Sequence, residues 1–387
     1  MTSHAHTPAL HRCSPSSKPK AWRLRWRSAV GATAALFASL TLLGLPGGAR
    51  AQIGLSQWQP QTLAQPVTLV YPTDAASRPT AFGPFTLDVA VDAPPSAGRR
   101  PLIVMSHGTA GHPLPDHALA ARLARAGFVV AQLLHDGDNH LDQRLAGPES
   151  FRLRPTEASR VIDALAANPA WSARLDLNRI GVHGMSAGGV TALALAGAQW
   201  RTLNLVRHCL EHGPADEAFC FQGATTAEQR AERQRRFDRA RFWPDFVLPA
   251  ELKAWHGGRS PTREQPDPRP DPRVAAVTLA VPVAAIFSAE SLQRIRIPVG
   301  LVSARDDQVL LPRWHSDHVR AHCSRCEPLA ELPAGHFDVL WPWPTEVARA
   351  VAARQLRGGD PSPAFDPAQR DAAHERIVAF HRRHLGL

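Results

Sequence analysis

Short apolar runs and helical patterns alternate along most of the chain, and this alternation predicts an α/β fold. Residues 101–105 are continuously apolar, as in a strand buried on both faces of a parallel sheet, and largely apolar runs recur at residues 128–133, 273–280 and 297–302. Patterns of helical period separate these runs. The predicted helices cover residues 117–126, 154–167, 190–196, 311–321, 345–356 and 367–385. This order favours a mostly parallel central sheet with helices on both faces.

Two further strands are predicted before the first buried run. Residues 66–72 carry a proline at each end and an apolar middle, which is typical of an edge strand. Residues 85–91 alternate apolar and polar side chains, as a half-buried strand does.

The alternation breaks between about residue 200 and residue 272. This segment contains an arginine-rich helical pattern at residues 227–241, an aromatic cluster and a proline-rich run. The aromatic cluster comprises Phe242, Trp243 and Phe246. Because the α/β order resumes afterwards, we interpret residues 200–272 as a cap inserted in one domain that covers residues 52–387.

The positive charge of the chain is concentrated at its start. Seven of the ten net positive charges lie in residues 1–51, which contain no acidic residue. The small remaining surplus gives no electrostatic footprint for nucleic acid.

Residues 1–51 have the pattern of a cleavable signal peptide. A basic stretch at residues 18–27 precedes an apolar stretch at residues 29–45, and Ala49-Arg50-Ala51 supplies a small-x-small cleavage signal. The alternative is an N-terminal membrane anchor, but the apolar stretch is shorter than the ~20 residues of a comfortable span. We therefore expect a periplasmic or secreted protein with no stable membrane anchor after cleavage.

Four cysteines follow the predicted leader, and an exported chain can form disulfides. We expect two short loops, Cys209–Cys220 and Cys323–Cys326, among the three possible pairings. A zinc site is the alternative for the second pair. Its ligands would be Cys323, Cys326, His315, His318 and His322. A single Cys-x-x-Cys is a weak zinc signal, so no metal is predicted.

The sequence Gly184-Met185-Ser186-Ala187-Gly188 has a short apolar run before it and a helical pattern after it. It fits the G-x-S-x-G turn in which a nucleophilic serine stands between strand and helix. Glycines are needed where strand and helix pass closely, and the helix N-terminus favours negative charge. Ser186 is therefore the predicted nucleophile.

A glycine-rich loop, Ser106-His107-Gly108-Thr109, directly follows the run at residues 101–105. Loops at the carboxyl end of a parallel strand commonly bind ligands. We expect the backbone N–H groups of Thr109 and Ala187 to form an oxyanion hole. His107 is interpreted as a brace for the loop, with a catalytic base as the alternative. Residues 135–140 contain two histidines and two aspartates, which favour ordinary solvation over a metal site.

An acid and a histidine complete the predicted site in chain order. Asp306 and Asp307 follow the run at residues 297–302, and His336 follows a short predicted strand at residues 329–332. Histidine can remove the serine proton, and a carboxylate can orient the imidazole. We favour Asp307 over Asp306 because it stands two residues before the apolar Val309.

These motifs resemble the bacterial α/β-hydrolases termed dienelactone-hydrolase-like, which are related to platelet-activating-factor acetylhydrolases and polyester hydrolases. The resemblance extends from Pro66 to the C-terminal helix. It rests on Val70-Tyr71-Pro72, Ser106-His107-Gly108-Thr109, Arg154-Pro155, Gly184-Met185-Ser186-Ala187-Gly188-Gly189, Thr191-Ala192-Leu193, Asp307 and Gly335-His336-Phe337. It implies an α/β-hydrolase fold and a Ser/Asp/His carboxylester hydrolase without a cofactor. True dienelactone hydrolases use a cysteine nucleophile, so Ser186 favours ordinary carboxylic esters.

The predicted function is therefore hydrolysis of small or short-chain esters through an acyl-enzyme. Two alternatives remain open. A lipid-directed esterase would use the aromatic cluster around Trp243 to touch membrane, and an inactive binding protein would keep the fold without turnover.

Overall fold

The computed structural model describes residues 52–222, 224, 226–240, 270–340, 342–353 and 359–387. The predicted leader and the aromatic cluster at residues 242–246 lie outside these ranges, as does most of the proline-rich run. Within the described ranges, no helix combines the length and the hydropathy needed to cross a membrane.

In the described part of the chain, ten strands form a single sheet in the order β10-β9-β8-β7-β5-β6-β2-β1-β4-β3. The strands are β1 (Gln52–Trp58), β2 (Val67–Thr73), β3 (Arg78–Phe82), β4 (Phe85–Val91), β5 (Arg100–Ser106), β6 (Val129–Leu133), β7 (Leu175–Met185), β8 (Val274–Ala280), β9 (Val299–Ala304) and β10 (Cys326–Leu332). All neighbouring pairs from β10 to β6 are parallel. Their carboxyl ends therefore meet at one edge of the sheet.

Helices cover both faces of this sheet. The described helices are α1 (His117–Arg125), α2 (Pro148–Ala167), α3 (Pro169–Ser172), α4 (Gly188–Leu195), α5 (Thr202–His212), α6 (Glu217–Cys220), α7 (Ala227–Ala240), α8 (Ala289–Gln293), α9 (Ser316–His322), α10 (Thr345–Ala353) and α11 (Pro367–Leu385). In β5, Leu102 and Val104 join the apolar cluster that includes α2 and α4, whereas Ile103 and Met105 join the cluster that includes α1 and α11. A strand buried on both faces must be apolar at every position, which explains the continuous run.

The prediction that residues 66–72 form an edge strand is wrong. β2 lies in the interior of the sheet, antiparallel to β6 on one side and to β1 on the other. The pairing partner, β1, has glycine, serine and glutamine among its residues and shows no clear strand pattern. Pro72 is tolerated near the end of β2, because one missing N–H there does not interrupt the hydrogen bonds in the middle of the strand.

Two helices begin or break at positions that the pattern did not predict. α2 starts at Pro148, not at residue 154, and it contains Pro155. Burial of Phe151 and Arg154 anchors the turns before this proline. The helix predicted at residues 311–321 is split at His315, whose backbone leaves the helical region and whose Nδ1 accepts a hydrogen bond from the N–H of Ala284.

The described part of the predicted cap contains α5, α6 and α7. Cys209 and Cys220 form a disulfide that joins α5 to α6, as predicted. The predicted Cys323–Cys326 disulfide is wrong, because both cysteines are free thiols. The N–H of Cys326 donates to the carbonyl of Cys323 in a tight turn, and burial raises the pKa of both thiols, to about 12 for Cys326.

Two histidines of the alternative zinc site have protein hydrogen-bond partners instead. His315 Nε2 lies 3.4 Å from Asp216 Oδ2, and His318 Nε2 donates to the carbonyl of Phe287. In the described chain, His208, Asp216 and Cys220 form a group with metal-ligand spacing. Cys220 is disulfide-bonded and therefore offers no thiolate.

Asp116 is buried beside a small cavity under the sheet, and this position makes stability depend on pH. Arg370 and His374 line the same cavity. Burial raises the pKa of Asp116 from 3.8 to about 7. Since the folded chain binds this proton more tightly than the unfolded chain, the stabilising contribution is present below about pH 4 and is lost as the pH rises through about 7.

Asp116→Asn should therefore increase the free energy of unfolding at pH 8 but leave it nearly unchanged at pH 4. The difference corresponds to at most about 4 kcal/mol. Urea unfolding at both pH values measures it, with Asp88→Asn on an exposed position of β4 as control. An equal effect of Asp116→Asn at both pH values would contradict this explanation.

Candidate active site

A sharp turn between β7 and α4 carries Ser186, which has a φ of +55°. The two glycines of the motif allow the backbone to pass closely. A Cβ atom on Gly184 would lie 2.1 Å from the carbonyl oxygen of Gly188, and one on Gly188 would lie 1.9 Å from that of Ser106. The turn is also tied to β8, because Ser186 N–H donates to Ala280 and Val283 N–H donates to Ser186.

Gly184→Ala should destabilise the fold by more than about 4 kcal/mol or prevent soluble expression, because backbone meets backbone with no side chain that could move. Thermal unfolding and soluble yield measure this effect. Gly83→Ala is the control, since Gly83 has a φ of +56° and open space around it. Strain alone should cost about 1–2 kcal/mol there. Equal losses for the two variants would show that the clash is unimportant.

Three side chains from three strand ends meet in one chain of hydrogen bonds. Ser186 Oγ lies 2.9 Å from His336 Nε2, and His336 Nδ1 lies 2.7 Å from Asp307 Oδ2. All three residues are buried, with Ser186 at 8% exposure. β7, β9 and β10 are parallel strands of one sheet, so the loops that follow them lie at the same edge.

The two candidate acids have different environments. Asp307 Oδ1 accepts hydrogen bonds of 2.8 Å from the N–H groups of Val309 and Leu310, which leaves Oδ2 directed at His336. The side chain of Asp306 is exposed and accepts a hydrogen bond from Ser362. The structure brings Asp307, and not Asp306, into contact with the histidine.

The loop at residues 107–111 lies against the serine. A Cβ atom on Gly108 would lie 3.2 Å from Ser186 Cβ. Within the described chain, neither the Thr109 nor the Ala187 N–H donates to a protein group. These two N–H groups therefore have no acceptor among the described protein groups.

His107 braces this loop through hydrogen bonds to backbone groups of Gly108 and His135. Its Nδ1 donates to the carbonyl of Gly108, and its Nε2 accepts from the N–H of His135. Burial, with His135 and Arg154 nearby, holds the pKa of His107 well below its usual value. Both ring nitrogens are used by the neutral imidazole, so His107 has no free nitrogen for a base.

A second buried chain of hydrogen bonds was not predicted from the sequence. Ser106 Oγ lies 2.7 Å from His135 Nε2, and His135 Nδ1 lies 2.5 Å from Glu157 Oε2. Ser106 also contacts Thr191 of α4 and is 1% exposed. The arrangement resembles a catalytic triad, but a substrate has no access to Ser106, so the chain ties β5, α2 and α4 together.

A buried ion pair between Arg154 and Asp138 was also missed. Their closest atoms are 2.8 Å apart and both side chains are fully buried. Asp138 and His135 belong to the segment considered for metal binding, and both side chains are used by protein partners. The only sequence feature that pointed to this ion pair was an arginine in a predicted helix that follows a loop rich in polar residues.

The sheet order and the serine turn define an α/β-hydrolase fold. The chain is similar in structure to a ferulic acid esterase from Streptomyces cinnamoneus, with a TM-score of 0.52 and 18% sequence identity. The match covers 88% of this chain and 92% of the esterase. No family model matches the sequence, and no curated protein matches it.

Proposed function

We propose that the protein is a serine carboxylic-ester hydrolase that works through an acyl-enzyme on Ser186. The observation that carries the proposal is the continuous hydrogen-bond chain from Ser186 through His336 to Asp307. The fold shared with an esterase is consistent with this chemistry.

Each residue has a defined task in the proposed reaction. His336 Nε2 takes the proton of Ser186 as Oγ attacks the ester carbonyl, and the proton then passes to the departing alcohol. Water attacks the acyl-enzyme in the second half, again with His336 as the base. Asp307 holds the imidazole with Nδ1–H toward itself and stabilises the imidazolium that forms.

The N–H groups of Thr109 and Ala187 would bind the oxyanion of both tetrahedral intermediates. Each donor of this kind contributes roughly 2.7–4 kcal/mol to the stabilisation of the transition state. Ala187 also precedes the first turn of α4, where the helix dipole favours negative charge.

We propose ordinary small or short-chain carboxylic esters as substrates, in line with the resemblance to serine members of the dienelactone-hydrolase-like group. The similarity to a ferulic acid esterase adds hydroxycinnamate esters to the classes worth testing. The lipid-directed alternative rests on Trp243 and its neighbours, which lie outside the described residues, so no described feature favours it.

We propose export as the cellular context, because the leader pattern precedes a domain that contains the Cys209–Cys220 disulfide. Disulfides persist in oxidising compartments. Cell fractionation with an antibody against residues 359–387 tests this proposal, and recovery of an uncleaved chain in the cytoplasm would contradict it.

The function is tested by labelling with a fluorophosphonate and by a hydrolysis screen. The screen uses p-nitrophenyl esters of increasing chain length together with methyl ferulate. Ser186 should carry the label, and Ser186→Ala should lose both labelling and turnover. A folded wild-type protein that neither labels nor hydrolyses any ester would favour the inactive binding protein. A jump in activity above the micellar threshold of a lipid would favour the lipid-directed alternative.

A further inference from the structure

The guanidinium of Arg154 lies behind the loop that carries the proposed oxyanion donors. Arg154 Nη1 donates to the carbonyl of His107 at 2.5 Å, and Nη2 donates to the carbonyl of Gly108 at 3.2 Å. The side chain is fully buried. One rigid fork therefore holds two successive carbonyl groups of the loop.

Asp138 holds both the arginine and the far end of the same loop. Its Oδ2 accepts from Arg154 Nη2 at 2.8 Å and from Ser150 Oγ, and its Oδ1 accepts from the N–H of Ala110 at 2.8 Å. Ala110 has a φ of +54°, which an alanine adopts only when its surroundings enforce it. The ion pair thus constrains the loop from His107 to Ala110.

Because the peptide bond is planar, the contacts of the Gly108 carbonyl also determine the direction of the Thr109 N–H. In a trans peptide the C=O and the following N–H point in opposite directions. The carbonyl of Gly108 accepts from Arg154 Nη2, from His107 Nδ1 at 2.7 Å and from the N–H of Gly111 at 3.2 Å. The N–H of Thr109 is therefore directed away from these three donors. Ser186 Cβ is close to Gly108, next to this donor.

We propose that Arg154 and Asp138 are positioning residues that orient the Thr109 N–H toward the reacting oxygen. This inference rests on the proposed function and adds a role to residues that touch no reacting atom. A buried ion pair is an expensive way to stabilise a fold, since apolar residues of similar volume are often as good or better. The fork geometry of the pair provides what apolar packing lacks, which is a fixed direction for two carbonyl groups.

The pair should stay ionised over the working pH range. Although burial acts in the opposite direction, Arg154 and the hydrogen bonds from Ser150 and Ala110 hold the pKa of Asp138 below its usual value. Changes at this pair should therefore alter kcat without altering the shape of its pH profile.

Two variants test the proposal while avoiding an unpaired buried charge. Arg154→Lys keeps the charge but offers a single ammonium group in place of the fork, and the double variant Arg154→Met with Asp138→Asn removes both charges. Arg160→Lys is the matched control, because Arg160 is an exposed arginine on the same helix. Thermal unfolding establishes that each variant is folded, and fluorophosphonate titration counts competent sites.

The first readout is the hydrolysis of p-nitrophenyl acetate per competent site. For the double variant we expect kcat to fall about 10²–10³-fold, the effect of losing one oxyanion donor. KM should change less than threefold and the pH profile should keep its shape. The kcat of Arg154→Lys should lie between those of the double variant and the wild type. A purely structural role would lower the melting temperature but leave kcat per competent site unchanged, and that result would overturn the proposal.

The second readout is independent of turnover. Hydrogen exchange in the peptide that covers residues 107–111 should become faster in both variants and stay unchanged in Arg160→Lys. If the wild-type protein neither labels nor turns over, the hydrolase assignment fails, while the exchange rates still decide whether Arg154 holds the loop. Unchanged exchange in a folded double variant would overturn the positioning role in either case.

Discussion

His336→Ala should lower kcat for p-nitrophenyl acetate about 10⁶-fold, the loss typical of removing the histidine or the serine of a catalytic triad. The hydroxyl of Ser186 is a poor nucleophile unless a base takes its proton, and His336 Nε2 is the nitrogen in contact with it. Steady-state kinetics on the folded variant measures the loss. His384→Ala, on the far end of α11, is the control and should retain wild-type kcat.

The double variant Ser186→Ala with His336→Ala tests whether the two residues act as one catalytic unit. Residues that act as one unit are strongly non-additive, so the double variant should be no slower than either single variant. If the two losses multiplied instead, the residues would be acting independently. That outcome would contradict the acyl-enzyme mechanism, even if the protein had some esterase activity.

Asp307→Asn should lower kcat by about 10⁴-fold, whereas Asp306→Asn should change it less than twofold. The carboxylate of Asp307 accepts the Nδ1–H of His336 and so keeps Nε2 free to receive the serine proton. An asparagine in its place can present N–H to Nδ1, which favours the tautomer with the proton on Nε2. The exposed carboxylate of Asp306 makes no contact with the histidine.

The matched pair separates the role of the acid from the general effect of removing a charge. Both substitutions remove one carboxylate and are adjacent in sequence, so any effect on net charge is shared. Thermal unfolding should show both variants folded at 25 °C. A large loss for Asp306→Asn with a small loss for Asp307→Asn would contradict the assignment and would require the loop after β9 to adopt another conformation.

The local sequence was sufficient wherever one segment determines its own conformation. The run at residues 101–105 matched β5, and the glycines around Ser186 matched a turn in which a side chain would collide with backbone. Loops after parallel strands meet at one edge, so Ser186, Asp307 and His336 could be predicted to meet before any distance was known. The choice of Asp307 depended on an apolar neighbour two residues later, whose N–H indeed holds the carboxylate.

The hydrophobic and polar pattern of the sequence did not predict contacts between segments that are distant along the chain. β2 has the proline signals of an edge strand, but β1 covers it, and β1 lacks a strand pattern of its own. Cys323 and Cys326 are free thiols at the two ends of the turn that joins α9 to β10. No spacing rule distinguishes that turn from one that closes a disulfide.

The sequence by itself determined the class of fold and the three residues that meet at the edge of the sheet, because periodicity, glycine placement and chain order are local or topological properties. Only the tertiary structure decided how the loop beside Ser186 is held. Arg154 and Asp138 are 16 residues apart in sequence. Arg154 contacts loop residues that are 46 and 47 positions away, and Asp138 contacts one that is 28 positions away. Their burial as a pair depends on the packing of α2 against the sheet, and no local pattern records where a long charged side chain will find its partners.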